Sequence, residues 1–107
     1  MTRGDLVTVA VAGEYGKPRP ALIVQDDGFA AIPSVTVLLL TSQLIAAPLL
    51  RIALEANADT GLEKPSHVMV DKTMTLSRQK LGRRIGRVDN QTMARVSRAL
   101  SVFLGLG

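Results

Sequence analysis

Apolar positions along the first 88 residues fall in short runs divided by turn residues, and after Asp89 they follow a longer period. Leu6 to Val11 reads Leu-Val-Thr-Val-Ala-Val, with the alternation and β-branching of a strand. Pro20 to Gln25 and Val35 to Thr41 are nearly continuous in apolar residues, as strands buried on both faces are. Leu50, Ile52 and Leu54 alternate with Arg51, Ala53 and Glu55, which predicts a half-buried strand. Val68 to Val70 and Met74 to Leu76 predict a further pair of strands or one bent strand, and Ile85 to Val88 a last one. Turn signals separate the runs: Gly13-Glu14-Tyr15-Gly16, Asp26-Asp27-Gly28 (read as a hairpin turn), Ala47-Pro48, Asn57 to Gly61, and Lys64-Pro65-Ser66. Short strands at this spacing predict a small barrel or a strongly twisted antiparallel sheet.

The chain ends differently. Asp89 is placed to cap a helix, and Met93, Val96, Leu100, Phe103 and Leu104 follow at helical spacing until Gly105 stops it. Arg95 and Arg98 lie off that stripe, so the helix is expected to lay its apolar face on the sheet and turn its arginines outward. Ser77 to Leu81 predicts a one-turn helix with Ser77 as its cap. The expected architecture is mainly β with a C-terminal α-helix, a small barrel in one domain spanning residues 1–107.

Composition narrows the chemistry. At 47% hydrophobic residues the chain has enough apolar surface for a core, which excludes disorder. The absence of cysteine removes disulfides, thiolate zinc sites and thiol nucleophiles together. A single histidine, His67, excludes any mechanism needing two imidazoles and reads as an ordinary rim residue at the start of a strand. Carboxylates alone are left as metal ligands, so no metal site and no cofactor are expected. No apolar run approaches the ~18 residues of a membrane span, and the start of the chain lacks a signal peptide, so a cytoplasmic protein without membrane association is expected.

Charge is distributed unevenly. Residues 1–71 carry five Lys/Arg against eight Asp/Glu, a net of −3. Residues 72–107 carry eight against Asp89 alone, a net of +7. A basic segment of this kind is a footprint for a phosphate backbone, a solvated face, or a docking surface for an acidic partner. Tyr15, Phe29 and Phe103 are the only aromatics, too few for a base-stacking platform.

Two places are more specific. Pro18 and Pro20 fix the backbone on both sides of Arg19 at the entrance to an apolar strand. An arginine held there suits a bidentate grip on phosphate or carboxylate, or a structural salt bridge. Thr41-Ser42-Gln43 ends another apolar strand with three hydrogen-bonding side chains, either as a site at a sheet end or as a strand terminator. There is no Gly-rich phosphate loop, and no serine has a base at a recognisable spacing.

Taken in order, the blocks Arg3-Gly4-Asp5, Arg19 to Val24, Leu40-Thr41-Ser42-Gln43, Gly61 to Ser66, Val68 to Lys72 and Leu81 to Val88 resemble the MazF/PemK family of type II toxin–antitoxin toxins through almost the whole chain. The resemblance implies an SH3-like barrel with a C-terminal helix, assembled as a homodimer. It also implies a metal-independent, sequence-specific endoribonuclease that cuts single-stranded RNA and is neutralised by the acidic tail of a cognate antitoxin. The family's arginine falls on Arg19 and its threonine on Thr41; an acidic loop residue used by some members falls on Glu14, and an aspartate of the later strand on Asp71. RNA contacts are expected from Lys17, Ser42, Gln43 and Asp71, and from the basic residues Lys72, Arg78, Lys80, Arg83 and Arg84. The chain departs from the family where Gln-Ile-Arg-Thr is replaced by Lys72-Thr73-Met74-Thr75, where Met69 stands two residues before the aspartate, and where the loop from Ala10 to Pro18 is short.

Such an enzyme uses the substrate's 2′-OH as nucleophile. Arg19 and Thr41 are expected to stabilise charge on the scissile phosphate, Glu14 to act as base, and Asp71 to orient Arg19 or read a base. Two other classes fit the same fold: a CcdB-like gyrase poison without enzymatic activity, and a nucleic-acid-binding module without chemistry.

Overall fold

The structure is a computed structural model and describes residues 1–10 and 17–107. The strands are β1 (Asp5–Ala10), β2 (Pro18–Ile23), β3 (Ser34–Thr41), β4 (Arg51–Leu54), β5 (Ser66–Ser77) and β6 (Leu81–Arg87), followed by helix α1 (Asn90–Phe103). They form one sheet in the order β4-β5-β3-β2-β1-β6, with every pairing antiparallel.

Alternation along these strands builds two cores on opposite faces of the sheet. Leu6, Leu22, Leu38, Leu40, Val68 and Val70 point to the face that α1 covers with Met93 and Val96. Val7, Val9, Ala21, Ile23, Val35 and Val37 point to the other, where Leu39, Met74, Leu76 and Leu81 close over them. This double burial is the reason β2 and β3 carry nearly continuous apolar runs. Val7 and Val37 are 0% exposed, so the sheet curls over its second face as a small barrel does.

The sequence left two strands or one bent strand after Val68; the structure has one, β5. Between Leu38↔Thr73 and Leu40↔Val68, β3 advances two residues while β5 advances five. This bulge lets β5 pair with β4 and the end of β3 on one side of it, and with the start of β3 on the other.

Three expectations are corrected. The last strand begins at Leu81 rather than Ile85, because an edge strand with exposed arginines has no apolar alternation to mark it. Asp26-Asp27 lies in the β2–β3 hairpin connection but is no tight turn: Asp26 caps a 3-10 turn over Asp27–Phe29, accepting from the Gly28 amide. In α1, capped as expected by Asp89 accepting from Thr92, the buried stripe ends with half-buried Leu100. Phe103 and Leu104 are 46% and 55% exposed because the core beneath the helix stops one turn earlier.

Arg3-Gly4-Asp5 is a structural clasp. Arg3 reaches the Val24 carbonyl and Ser97 Oγ, while the buried Asp5 carboxylate accepts from the Thr2 amide (2.8 Å), Arg84 Nε (3.1 Å) and Arg87 Nη1 (2.9 Å). Burial alone would raise the Asp5 pKa, but the Thr2, Arg84 and Arg87 hydrogen bonds outweigh it and hold the carboxyl below its ordinary value. A depressed folded-state pKa gives stability that is complete above the unfolded value and is lost as pH falls through the folded one. Thermal melts should therefore hold steady down to about pH 5 and fall below about pH 4. Asp5→Asn should melt lower at neutral pH and fall less steeply in acid; parallel curves for the two proteins would reject this role for the clasp.

Candidate functional site

Strand register assembles the site. β2 and β3 pair Ala21 with Leu39 and Ile23 with Val37, and Arg19 and Thr41 each lie two residues beyond the Ala21–Leu39 pair. β3 and β5 pair Thr41 with His67, and β5 pairs His67 with Ala53 of β4. Paired residues project to the same face, so Thr41 and His67 stand side by side on adjacent strands, about 4.8 Å from strand to strand, and strand alternation turns Arg19 to that same face, forming a row. The row lies on the face turned away from the main contacts of α1, since the neighbouring Leu40 and Val68 enter the helix-side core.

Each member is held locally. Pro18 and Pro20 pair with Ala10 and Thr8 of β1, so Arg19 leaves a backbone fixed on both sides, half-buried. Thr41 is half-buried at the end of β3, and its Oγ1 accepts from the Gln43 amide at 3.1 Å. That bond uses the hydroxyl as an acceptor and leaves its own O–H to donate outward.

Beside the row stands an ion pair. Arg51, on β4, faces Met69 of β5, and its Nη1 donates to Asp71 Oδ1 at 2.6 Å and to the Leu50 carbonyl at 3.0 Å. Lys72 Nζ takes the other carboxylate oxygen at 2.8 Å. The Lys72 hydrogen bond, joined by that of Arg51, outweighs burial and keeps the Asp71 pKa below the usual carboxylate range. Asp71 is thus an ionised anchor, a poor proton acceptor near neutral pH. Asp71 and Lys72 lie in the β5 bulge, next along the strand from the Arg51↔Met69 pair.

The other expected residues are dispersed. Glu14 lies outside the described residues. Lys17, Ser42, Gln43, Lys80 and Arg83 are exposed. Arg84 is engaged by Asp5, and Arg78 Nε donates to the Ile32 carbonyl, pinning the loop before β3. Ser42 and Arg83 line a groove of about 270 Å³ with Pro18, Pro20 and Lys64. By strand alternation Pro18 and Pro20 face the side opposite Arg19, so this groove is separate from the Arg19–Thr41 row. No group of three or more potential metal ligands occurs among the described residues, and no helix among them is long and apolar enough to cross a membrane.

Two residues of this face were not singled out as functional in the sequence. His67 is joined to Thr41 only by long-range pairing, and Arg51 reads as the solvent-side member of an alternating strand although its side chain is 12% exposed. The one available signal was that Arg51 interrupts an otherwise uncharged run from Leu44 to Leu54.

The chain is 50% identical over 107 residues to a probable endoribonuclease MazF of Mycolicibacterium smegmatis, covering 99% of this chain and 98% of that protein. It is 30% identical over 110 residues to the endoribonuclease EndoA of Bacillus subtilis, covering 97% and 94%. Among solved structures, a mycobacterial endoribonuclease in complex with its cognate antitoxin superposes with a TM-score of 0.84 at 27% identity, covering 100% of this chain and 97% of that one. Residues 2–104 match the model of one family, and the chain belongs to it: the PemK-like, MazF-like toxins of type II toxin–antitoxin systems.

Proposed function

We propose that the protein is the toxin of a type II toxin–antitoxin pair, a sequence-specific and metal-independent endoribonuclease acting on single-stranded RNA. What supports this reading is that Arg19 and Thr41 fall on one sheet face by strand alternation, in a chain with endoribonuclease relatives. In the reaction the 2′-oxygen loses its proton to a base and bonds to phosphorus, while the P–O5′ bond breaks and the 5′-oxygen takes up a proton. Products are a 2′,3′-cyclic phosphate and a 5′-OH. Arg19 grips the non-bridging oxygens, and Thr41 donates its remaining O–H to the same charge as it develops. Glu14, by family resemblance, is the base. Asp71, its oxygens occupied by Lys72 and Arg51, positions Arg51 rather than taking the proton.

The acidic tail of a cognate antitoxin fits the same cationic face, and its binding there would exclude RNA. Two copies of the chain form the working unit, a reading supported by exposed apolar side chains at Leu44, Ile45 and Leu49 and at Val102, Phe103, Leu104 and Leu106. The cytoplasm, where mRNA is translated, is the corresponding compartment.

The test is incubation of purified, antitoxin-free protein with a long mixed-sequence RNA in EDTA, with the ends mapped and the particle mass measured by light scattering. Discrete cuts ending in 2′,3′-cyclic phosphate, from a particle of two chains, are expected. Intact RNA would remove the ribonuclease, and a single-chain mass at micromolar concentration would remove the dimer.

A further inference from the structure

A cavity of about 390 Å³ opens beside the row, between the loop after β3, strand β4 and helix α1. Its polar lining is entirely basic, made by Arg51, His67 and Arg95, while Ala47, Pro48 and Ala53 contribute apolar walls. Two nitrogens at this place are withdrawn from water and lack a partner among the described residues: Arg51 Nε and His67 Nδ1. Arg95 likewise makes no hydrogen bond or ion pair among them and stands exposed on α1.

We propose that Arg51, His67 and Arg95 form a second phosphate pocket, which takes the phosphate neighbouring the scissile one on the RNA strand; this rests on the ribonuclease reading above. The charge fits a phosphodiester. Asp71 is the carboxylate bonded to Arg51, and its oxygens are covered by Arg51 and Lys72, so Arg51, Lys72 and Arg95 stand against one carboxylate. Arginine side chains provide the planar donors that phosphate oxygens accept. The place fits as well. His67 is paired with Thr41 on one side and with Ala53, a wall of the pocket, on the other. The pocket therefore begins about 4.8 Å, one strand, beyond Thr41 and continues the row that starts at Arg19. This continuity favours the substrate strand over a carboxylate of a protein partner. Without aromatic walls the cavity offers charge rather than a stacking surface, so it reads the backbone and not a base.

His67 is the chain's one histidine, so its imidazole gives a single set of NMR signals that report on the pocket directly. Inorganic phosphate titrated at constant pH, against chloride at equal ionic strength, should shift those signals saturably. Arg95→Gln, an exposed helix substitution, should weaken that binding roughly tenfold, as loss of one charge-assisted contact does. In cleavage of a long RNA the same variant should raise KM by a similar factor with kcat within about twofold, because uniform binding is lost and the reacting phosphate is untouched. A phosphate response no larger than that to chloride, or one unchanged in Arg95→Gln, would overturn the pocket. Phosphate binding lost in the variant with RNA KM unaltered would overturn its place on the substrate strand and assign the pocket to a partner's carboxylate. A wild-type protein that leaves RNA intact yet binds phosphate at His67 would overturn the substrate role through failure of the ribonuclease reading, with the anion site itself retained.

Discussion

Arg19→Ala is expected to slow RNA cleavage by roughly 10²–10³-fold, the usual cost of removing one preorganised donor aimed at developing oxyanion charge. The magnitude follows from position. Arg19 is half-buried, fixed by proline on both sides, and turned at the mouth of β2 to the same sheet face as Thr41. Nothing else on that row carries a permanent positive charge, since its other members are Thr41 and His67. A lysine in its place keeps the charge and loses the planar fork, so Arg19→Lys should recover only part of the rate. Single-turnover cleavage of a long RNA in EDTA reads both variants, and thermal melts within a few degrees of the parent would confirm that the loss is chemical. Activity of Arg19→Ala within threefold of the parent would take Arg19 out of the mechanism.

The largest effect on stability is expected from Gly61→Ala. Gly61 has φ of +66°, and a Cβ there would overlap the Ile85 carbonyl oxygen and stand 2.7 Å from its carbonyl carbon. The left-handed backbone alone costs a side chain about 1–2 kcal/mol. The overlap adds more, because the obstructing atoms are backbone in β6 and cannot turn aside as a side chain would. The loop is also braced from within: Asn57 Oδ1 accepts from the Asp59 and Thr60 amides, and the buried Thr60 donates to the Glu55 carbonyl. A shift at Gly61 therefore strains contacts on both sides. We expect the melting temperature to drop by more than about 10 °C, given roughly 4–8 °C per kcal/mol at this size. Gly105→Ala is the matched control, with φ of +73° and nothing near the added atom. Equal shifts in the two variants, followed by circular dichroism, would show that backbone conformation and not the Ile85 contact governs Gly61.

Local chemistry made some of this molecule legible and long-range pairing hid the rest. β2 and β3 stand out because both of their faces are buried, which writes an unbroken apolar run into the chain. The caps at Ser77 and Asp89 are legible because a capping side chain bonds within three residues of itself. Leu81 to Arg84 is illegible as strand, since an edge position with arginines facing water satisfies no apolar period. In the site, Arg19 is marked by its prolines and Thr41 by the end of an apolar run. Their proximity, and that of His67, depends on register between strands far apart in sequence, which no local pattern encodes. The bulge that holds Asp71, bonded to Arg51, is equally silent, because residues inserted into a strand keep ordinary strand composition.

The order of strands in the sheet also sets a timetable. β1, the first strand made, lies between β2 and β6, and β6 is the last strand of the sheet to be synthesised. At translation rates of about 5–20 residues per second, Ala10 precedes Arg87 out of the ribosome's catalytic centre by on the order of 4–15 s. Until β6 is made Asp5 has neither Arg84 nor Arg87, and until β5 emerges Thr41 has no His67 beside it. A nascent chain therefore holds Arg19 and Thr41 as sequence without holding them as a finished surface.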